Sequence, residues 1–101
     1  MKAIARCEWV SPLKEFTTKK GDTMTKIDAK FSFADTDDSF MNEVVCTFLN
    51  KRAELISRSL VAGECYELHF VVKAYRTSGG YDYNDVQPRS LIKGEKDLLQ
   101  Q

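Results

Sequence analysis

Apolar and polar residues alternate most regularly between residues 23 and 33. Thr25, Ile27, Ala29, Phe31 and Phe33 fall on one side, and Met24, Lys26, Asp28, Lys30 and Ser32 on the other. A period of two belongs to a strand with one buried face. The same rule predicts a long strand over 64–76, with Tyr66, Leu68, Phe70, Val72 and Ala74 pointing one way. Residues 43–49 read as a strand of nearly continuous apolar character. Residues 2–10 and 13–18 are strand-compatible, with a bend or bulge at Ser11-Pro12, because proline has no N–H for a ladder. Lys19-Lys20-Gly21-Asp22 and Thr77-Ser78-Gly79-Gly80 read as turns. Residues 81–87 return as a strand that Pro88 ends. One segment follows helical spacing instead. Leu49, Ala53, Ile56 and Leu60 make an apolar stripe, Asn50 stands as the N-cap, and Gly63 follows the end. Residues 34–41 form an acidic loop, and 93–101 a polar, loosely ordered tail.

The predicted order is three strands, a helix and two strands. It matches an all-β fold, the five-stranded OB-fold Greek-key barrel, with one short helix between strands 3 and 4. An SH3-like barrel ranks second, because it usually lacks a helix there. The predicted domain spans 1–92, with 93–101 as its flexible tail.

The chain has 101 residues, enough for one domain, and 43% are hydrophobic, enough for one modest core. No apolar run approaches the ~20 residues that span a bilayer. The N-terminus lacks the continuous apolar stretch of a signal peptide, so a cytoplasmic location is expected. Cys7, Cys46 and Cys65 are odd in number and form no CxxC, so reduced thiols packed in or near the core are expected. With His69 the only histidine, neither a zinc site nor a Cys–His nucleophile is predicted. No nucleophile elbow or phosphate-cradling loop occurs, so no enzyme activity and no cofactor are expected.

The 15 basic and 15 acidic residues cancel, which argues against a uniformly basic coat for nucleic acid. The charges are segregated, however. Residues 1–33 carry seven basic and four acidic side chains, net +3, and residues 34–50 carry none and four, net −4. Residues 51–78 are net +2 and residues 79–101 net −1.

The run Val45-Cys46-Thr47-Phe48-Leu49-Asn50-Lys51-Arg52-Ala53-Glu54, followed by Leu60, Gly63 and Tyr66, resembles the bacterial single-stranded DNA-binding protein family. Phe16-Thr17-Thr18-Lys19-Lys20-Gly21 looks like the first hairpin of small OB-fold proteins from phages and mobile elements. Gly79-Gly80-Tyr81-Asp82-Tyr83-Asn84-Asp85-Val86 looks like their closing hairpin. The resemblance covers residues 4–91 and rests mostly on structural positions. It implies single-stranded DNA binding, dimers or tetramers, and a phage or mobile-element origin in a bacterial host. The sequence departs where that family carries stacking aromatics, with Glu43 and Leu49 at the matching positions. Its end, Asp97-Leu98-Leu99-Gln100-Gln101, also lacks the family's acidic, Phe-ended tip.

Single-strand binders combine a basic groove for phosphates with aromatic faces for bases. The candidates are Lys14, Phe16, Lys19, Lys20, Lys26, Lys30, Lys73, Tyr75, Arg76, Tyr81 and Tyr83. Each has an ordinary alternative. Lys26 and Lys30 alternate with Asp28 as on any solvated strand face, Lys19-Lys20 suits a polar turn, and the tyrosines can pair across strands. Trp9 is a weaker stacking candidate, assigned first to the core or an oligomer contact. Phe31, Phe33, Phe48 and Phe70 are assigned to the core, Phe40 to a barrel cap or subunit contact. Val71 and the first-strand apolar residues are the candidate oligomer surface. The expected function is binding of single-stranded DNA, or RNA, with little sequence preference, in replication or recombination. The alternative is a protein-interaction OB module, such as a primosome-like adaptor.

Overall fold

The computed structural model describes residues 2–33 and 42–100. The acidic loop, Phe40 included, lies outside them. Among the described residues, seven strands and one helix follow one another: β1 (Lys2–Val10), β2 (Lys14–Thr17), β3 (Thr23–Phe33), β4 (Asn42–Leu49), α1 (Lys51–Ser59), β5 (Cys65–Arg76), β6 (Asp82–Lys93) and β7 (Lys96–Asp97). They form one antiparallel sheet in the order β2-β3-β1-β5-β6-β7, with β4 on the other edge of β3. The mostly-β composition and the helix after the β4 strand agree with expectation. The count of seven strands replaces the expected five. Among the described residues no helix is long and apolar enough to cross a membrane.

Two local features account for the higher count. Residues 11–13 interrupt the first strand, so β1 and β2 pair in turn with successive stretches of the same edge of β3. Ser11 bridges the break. Its N–H donates to the Asp28 carbonyl at 2.8 Å, and its hydroxyl accepts from the Asp28 N–H at 2.9 Å. At the other end of the chain, Gly94 takes φ 64° and turns the backbone into β7, which pairs with the end of β6. The tail expected to be loose is therefore packed through Leu99. Leu98 and Leu99 are buried in the core, because a two-residue apolar step follows the turn.

A bulge in β1 changes the direction of the side chains. Cys7 pairs with Phe31, but Trp9 pairs with Lys30, which leaves Glu8 as the extra residue. Strict alternation would put Trp9 beside Ala5 and Cys7, facing inwards. The bulge turns it outwards, a common consequence of one inserted residue. A second bulge lies between His69 and Phe70, opposite Pro88 and Ser90. Pro88 does not end β6 as expected. It sits where the ladder is already interrupted, so its missing N–H costs little, and the strand runs on to Lys93.

The helix begins differently from expectation. Asn50 has φ 54° and makes no side-chain cap. Its Oδ1 accepts from the Thr25 N–H at 3.3 Å, while its carbonyl accepts the first helical bond from Glu54 at 3.0 Å. With ψ −121° it lies outside both helical regions, a conformation in which any side chain with a Cβ is strained, and the bonds to Thr25 hold it there. Ala53, Ile56 and Leu60 face the core as the stripe predicted, but Leu49 is exposed at the end of β4.

The core lies between the inward faces of the sheet and α1. Phe31, Phe48, Ile27, Ile56, Leu68 and Leu91 are its largest fully buried side chains, each worth about 1.5–3 kcal/mol of hydrophobic burial. Cys7 and Cys46 belong to it, whereas Cys65 is exposed, contrary to the core position expected of it. Burial pushes the Cys46 thiol up to about 12, with the nearby Asp85 carboxylate adding to the effect. Beyond Val71 the β5–β6 hairpin leaves the core. Val72 and Ala74, expected to face inwards, are exposed there.

Candidate nucleic-acid interface

The outward face of β1–β4 can be built row by row from the strand registers. Phe16 faces Met24. Lys14 faces Lys26, which on its other side faces Leu49. Asp28 faces Thr47, whose hydroxyl donates to its carboxylate at 2.6 Å. Trp9 faces Lys30, and Lys30 faces Val45. Arg6 faces Ser32, and Ser32 faces Glu43. Successive rows are two residues apart, about 6.8 Å. The Lys26 and Lys30 rows thus each carry an apolar side chain that water reaches, Leu49 and Val45, and the Asp28–Thr47 row separates them.

Carboxylates hold some of these cations. Lys30 Nζ lies 2.6 Å from Glu43 Oε2, with both side chains part-exposed. Arg6 pairs with Glu8 at 2.9 Å. The hydrogen bond from Ser32, then that from Arg6, keeps the Glu8 carboxyl below the usual carboxylate range. Among the described residues no carboxylate pairs with Lys14, Lys19, Lys20 or Lys26. Lys19 and Lys20 sit at the tip of the β2–β3 turn. There the Thr18 carbonyl accepts from Gly21, and the Thr18 hydroxyl from the Asp22 N–H.

The remaining candidates lie on the β5–β6 hairpin. Tyr75 and Tyr83 stack with centroids 5.3 Å apart and planes 23° apart. Gln87 Nε2 donates to the Tyr75 hydroxyl at 3.3 Å and to Asp85 at 3.1 Å. Lys73 faces Asp85 across the hairpin. Arg76 is held by Asp82 at 3.0 Å. Tyr81 belongs to the turn rather than the returning strand and is 76% exposed.

A cavity of about 390 Å3 lies between β4 and β6. From β4 it is lined by Val45, Thr47 and Leu49, and from β6 by Asp85, Gln87 and Arg89, with Arg52 also on its wall. The sheet curls here to bring β4 beside β6, without a hydrogen-bonded ladder between them among the described residues. The structure therefore brings Lys14, Phe16, Lys26 and Lys30 onto one face. It places Lys19 and Lys20 at the adjoining turn, and Lys73, Tyr75, Arg76, Tyr81 and Tyr83 on the separate β5–β6 hairpin.

Two residues of this surface were not foreseen from the sequence, Arg89 and Arg52, and stacking by Trp9 ranked below a core or oligomer contact. Trp9 is 41% exposed because of the bulge at Glu8, which periodicity does not reveal. Arg89 follows the proline expected to end the strand, and Arg52 resembled any wet helix residue. His69 lies elsewhere, 3.0 Å from Glu67. No protein-family model matches the chain, and no curated protein shows significant similarity to it.

Proposed function

We propose that this chain binds single-stranded DNA, with RNA as the alternative polymer, and with little sequence preference. One observation carries the reading. Lys14, Lys26 and Lys30 share an outward sheet face with exposed apolar side chains, and a cavity beside that face is walled by Gln87, which bonds one tyrosine of a stacked pair. Phosphates would lie against the lysines and bases against the apolar and aromatic surfaces. Backbone and stacking contacts carry little sequence information, hence the weak preference.

The fold reading that goes with it is an OB-fold barrel. Joining β1 and β2 across Ser11–Leu13, and treating β7 as a short return, leaves five long strands with α1 between the third and fourth. In such barrels strands 2 and 3 and the flanking loops are the usual binding surface. Here those strands are β3 and β4. A role in replication or recombination, a homo-oligomeric state, a cytoplasmic setting and a mobile-element origin complete the proposal.

A second reading, a protein-interaction module, draws support from the ion pairs Lys30–Glu43 and Arg76–Asp82, which already neutralise two of the cations. Titrating a labelled oligo-dT with the full chain at two salt concentrations separates the readings. Binding that tightens at low salt is expected, since phosphate contacts release counterions. No binding at low salt removes the proposal.

A further inference from the structure

We infer that Trp9, Lys30 and Val45 form a nucleotide subsite, in which the Trp9 indole stacks on one base of a single DNA strand and Lys30 holds the adjoining phosphate. The inference rests on the single-strand reading above and adds a specific site to it.

The bulge at Glu8 supplies the geometry. It reverses the facing of β1, so that the indole leaves the inward series of Ala5 and Cys7 and joins the outward row with Lys30 and Val45. An indole placed inwards would have filled core. Placed outwards, it leaves a large aromatic surface partly in water, opposite Lys30 in the ladder. Val45, 51% exposed, extends the apolar floor on the far side of Lys30. A flat apolar surface next to a cation fits a base with its phosphate.

Glu43 regulates the row. Its carboxylate lies 2.6 Å from the Lys30 ammonium, so a phosphate must displace it. The ion pair therefore weakens binding at this subsite and favours polyanions over single phosphate groups.

The chain has one tryptophan, so its emission reports this subsite alone. The test titrates the intact protein with oligo-dT, following tryptophan emission and the anisotropy of a labelled oligonucleotide together. A matching oligo-U arm compares the two polymers. The expected result is emission quenched with the same saturation curve as anisotropy. Trp9→Ala should weaken binding about 5- to 150-fold, the range for one stacked base, while Trp9→Phe retains most affinity. Glu43→Gln should tighten binding and steepen the slope of log K against log salt by about 0.7, one further phosphate contact on a single strand. If anisotropy saturates while emission stays unchanged, the subsite is refuted and strand binding stands. If anisotropy never rises, both fall. Because the emission measurement uses the unaltered chain, a misfolded Trp9→Ala protein does not blunt the test.

Discussion

Asn50 shows how one backbone angle can decide a junction. It joins β4 to α1 at φ 54°, a region non-glycine residues rarely occupy. Its N–H donates to the Thr25 carbonyl at 2.8 Å, and its side chain accepts from the Thr25 N–H. Asn50→Ala removes the side-chain bond and keeps the strain, so a loss of about 0.5–1.5 kcal/mol is expected. Asn50→Gly removes the same bond but relieves the strain, so it should lose clearly less. Urea unfolding of the two variants checks the ranking. If alanine proves no worse than glycine, strain at this junction is not the controlling term. The sequence did single out Asn50, but for capping. An N-cap favours asparagine, and nothing in the residue type signals that its side chain bonds Thr25 instead.

At the scale of elements, periodicity located every long strand and the helix, because buried faces impose a period of 2 or 3.6 on the chain. It failed where one residue disturbs the period. Glu8 inverted the facing of Trp9, and the bulge near Pro88 let β6 continue to Lys93. For the candidate site, the lysines of β2 and β3 were legible from alternation. The cavity between β4 and β6 was not, since its walls come from strands far apart in sequence. The C-terminal hairpin was missed for another reason. Its residues read as polar, yet Asp97 organises them. The Asp97 Oδ1 accepts from the Leu91 N–H at 3.1 Å and the Leu99 N–H at 3.0 Å. Desolvation raises the Asp97 carboxyl, but these bonds outweigh it and hold the group below the usual aspartate range. A depressed folded value means that the stabilisation is present above the unfolded value, about 3.9, and is lost as pH falls through the folded one. Asp97→Asn keeps an acceptor without the charge. It should cost about 1 kcal/mol at pH 7 and make stability fall less than wild type between pH 5 and the acid limit, as read by urea midpoints across pH. Parallel acid profiles for the two proteins would refute the role given to the carboxylate.

Over the whole molecule, the shape is a flat body with an extension. The principal extents are 46 × 38 × 20 Å, and the radius of gyration is 14.8 Å, against about 13 Å for a compact chain of 100 residues. The β5–β6 hairpin accounts for the difference in character: residues 72–85 are exposed along both strands, and its stacked tyrosines are supported from the cavity side by Gln87. The zero net charge of the sequence therefore describes no part of the surface well. It averages unpaired lysines of the sheet face with cations, there and on the hairpin, that carboxylates already hold. The direct opposition of Lys14 and Lys26 in the β2–β3 ladder gives this arrangement a thermodynamic direction. Two ammonium groups facing each other across an antiparallel pair repel, at a cost of about 0.2–1 kcal/mol. A chain optimised only to fold would not retain them. Lys14→Gln should raise Tm by about 1–6 °C while flattening the salt dependence of oligo-dT binding by about 0.7. A calorimetric scan and a salt series read the two effects separately, and a lower Tm in the variant would show that the pair is not repulsive. If both effects are found, this protein gives up part of its own stability to keep an unmet demand for negative charge, and a polyanion that satisfies it should act as the missing component of the fold.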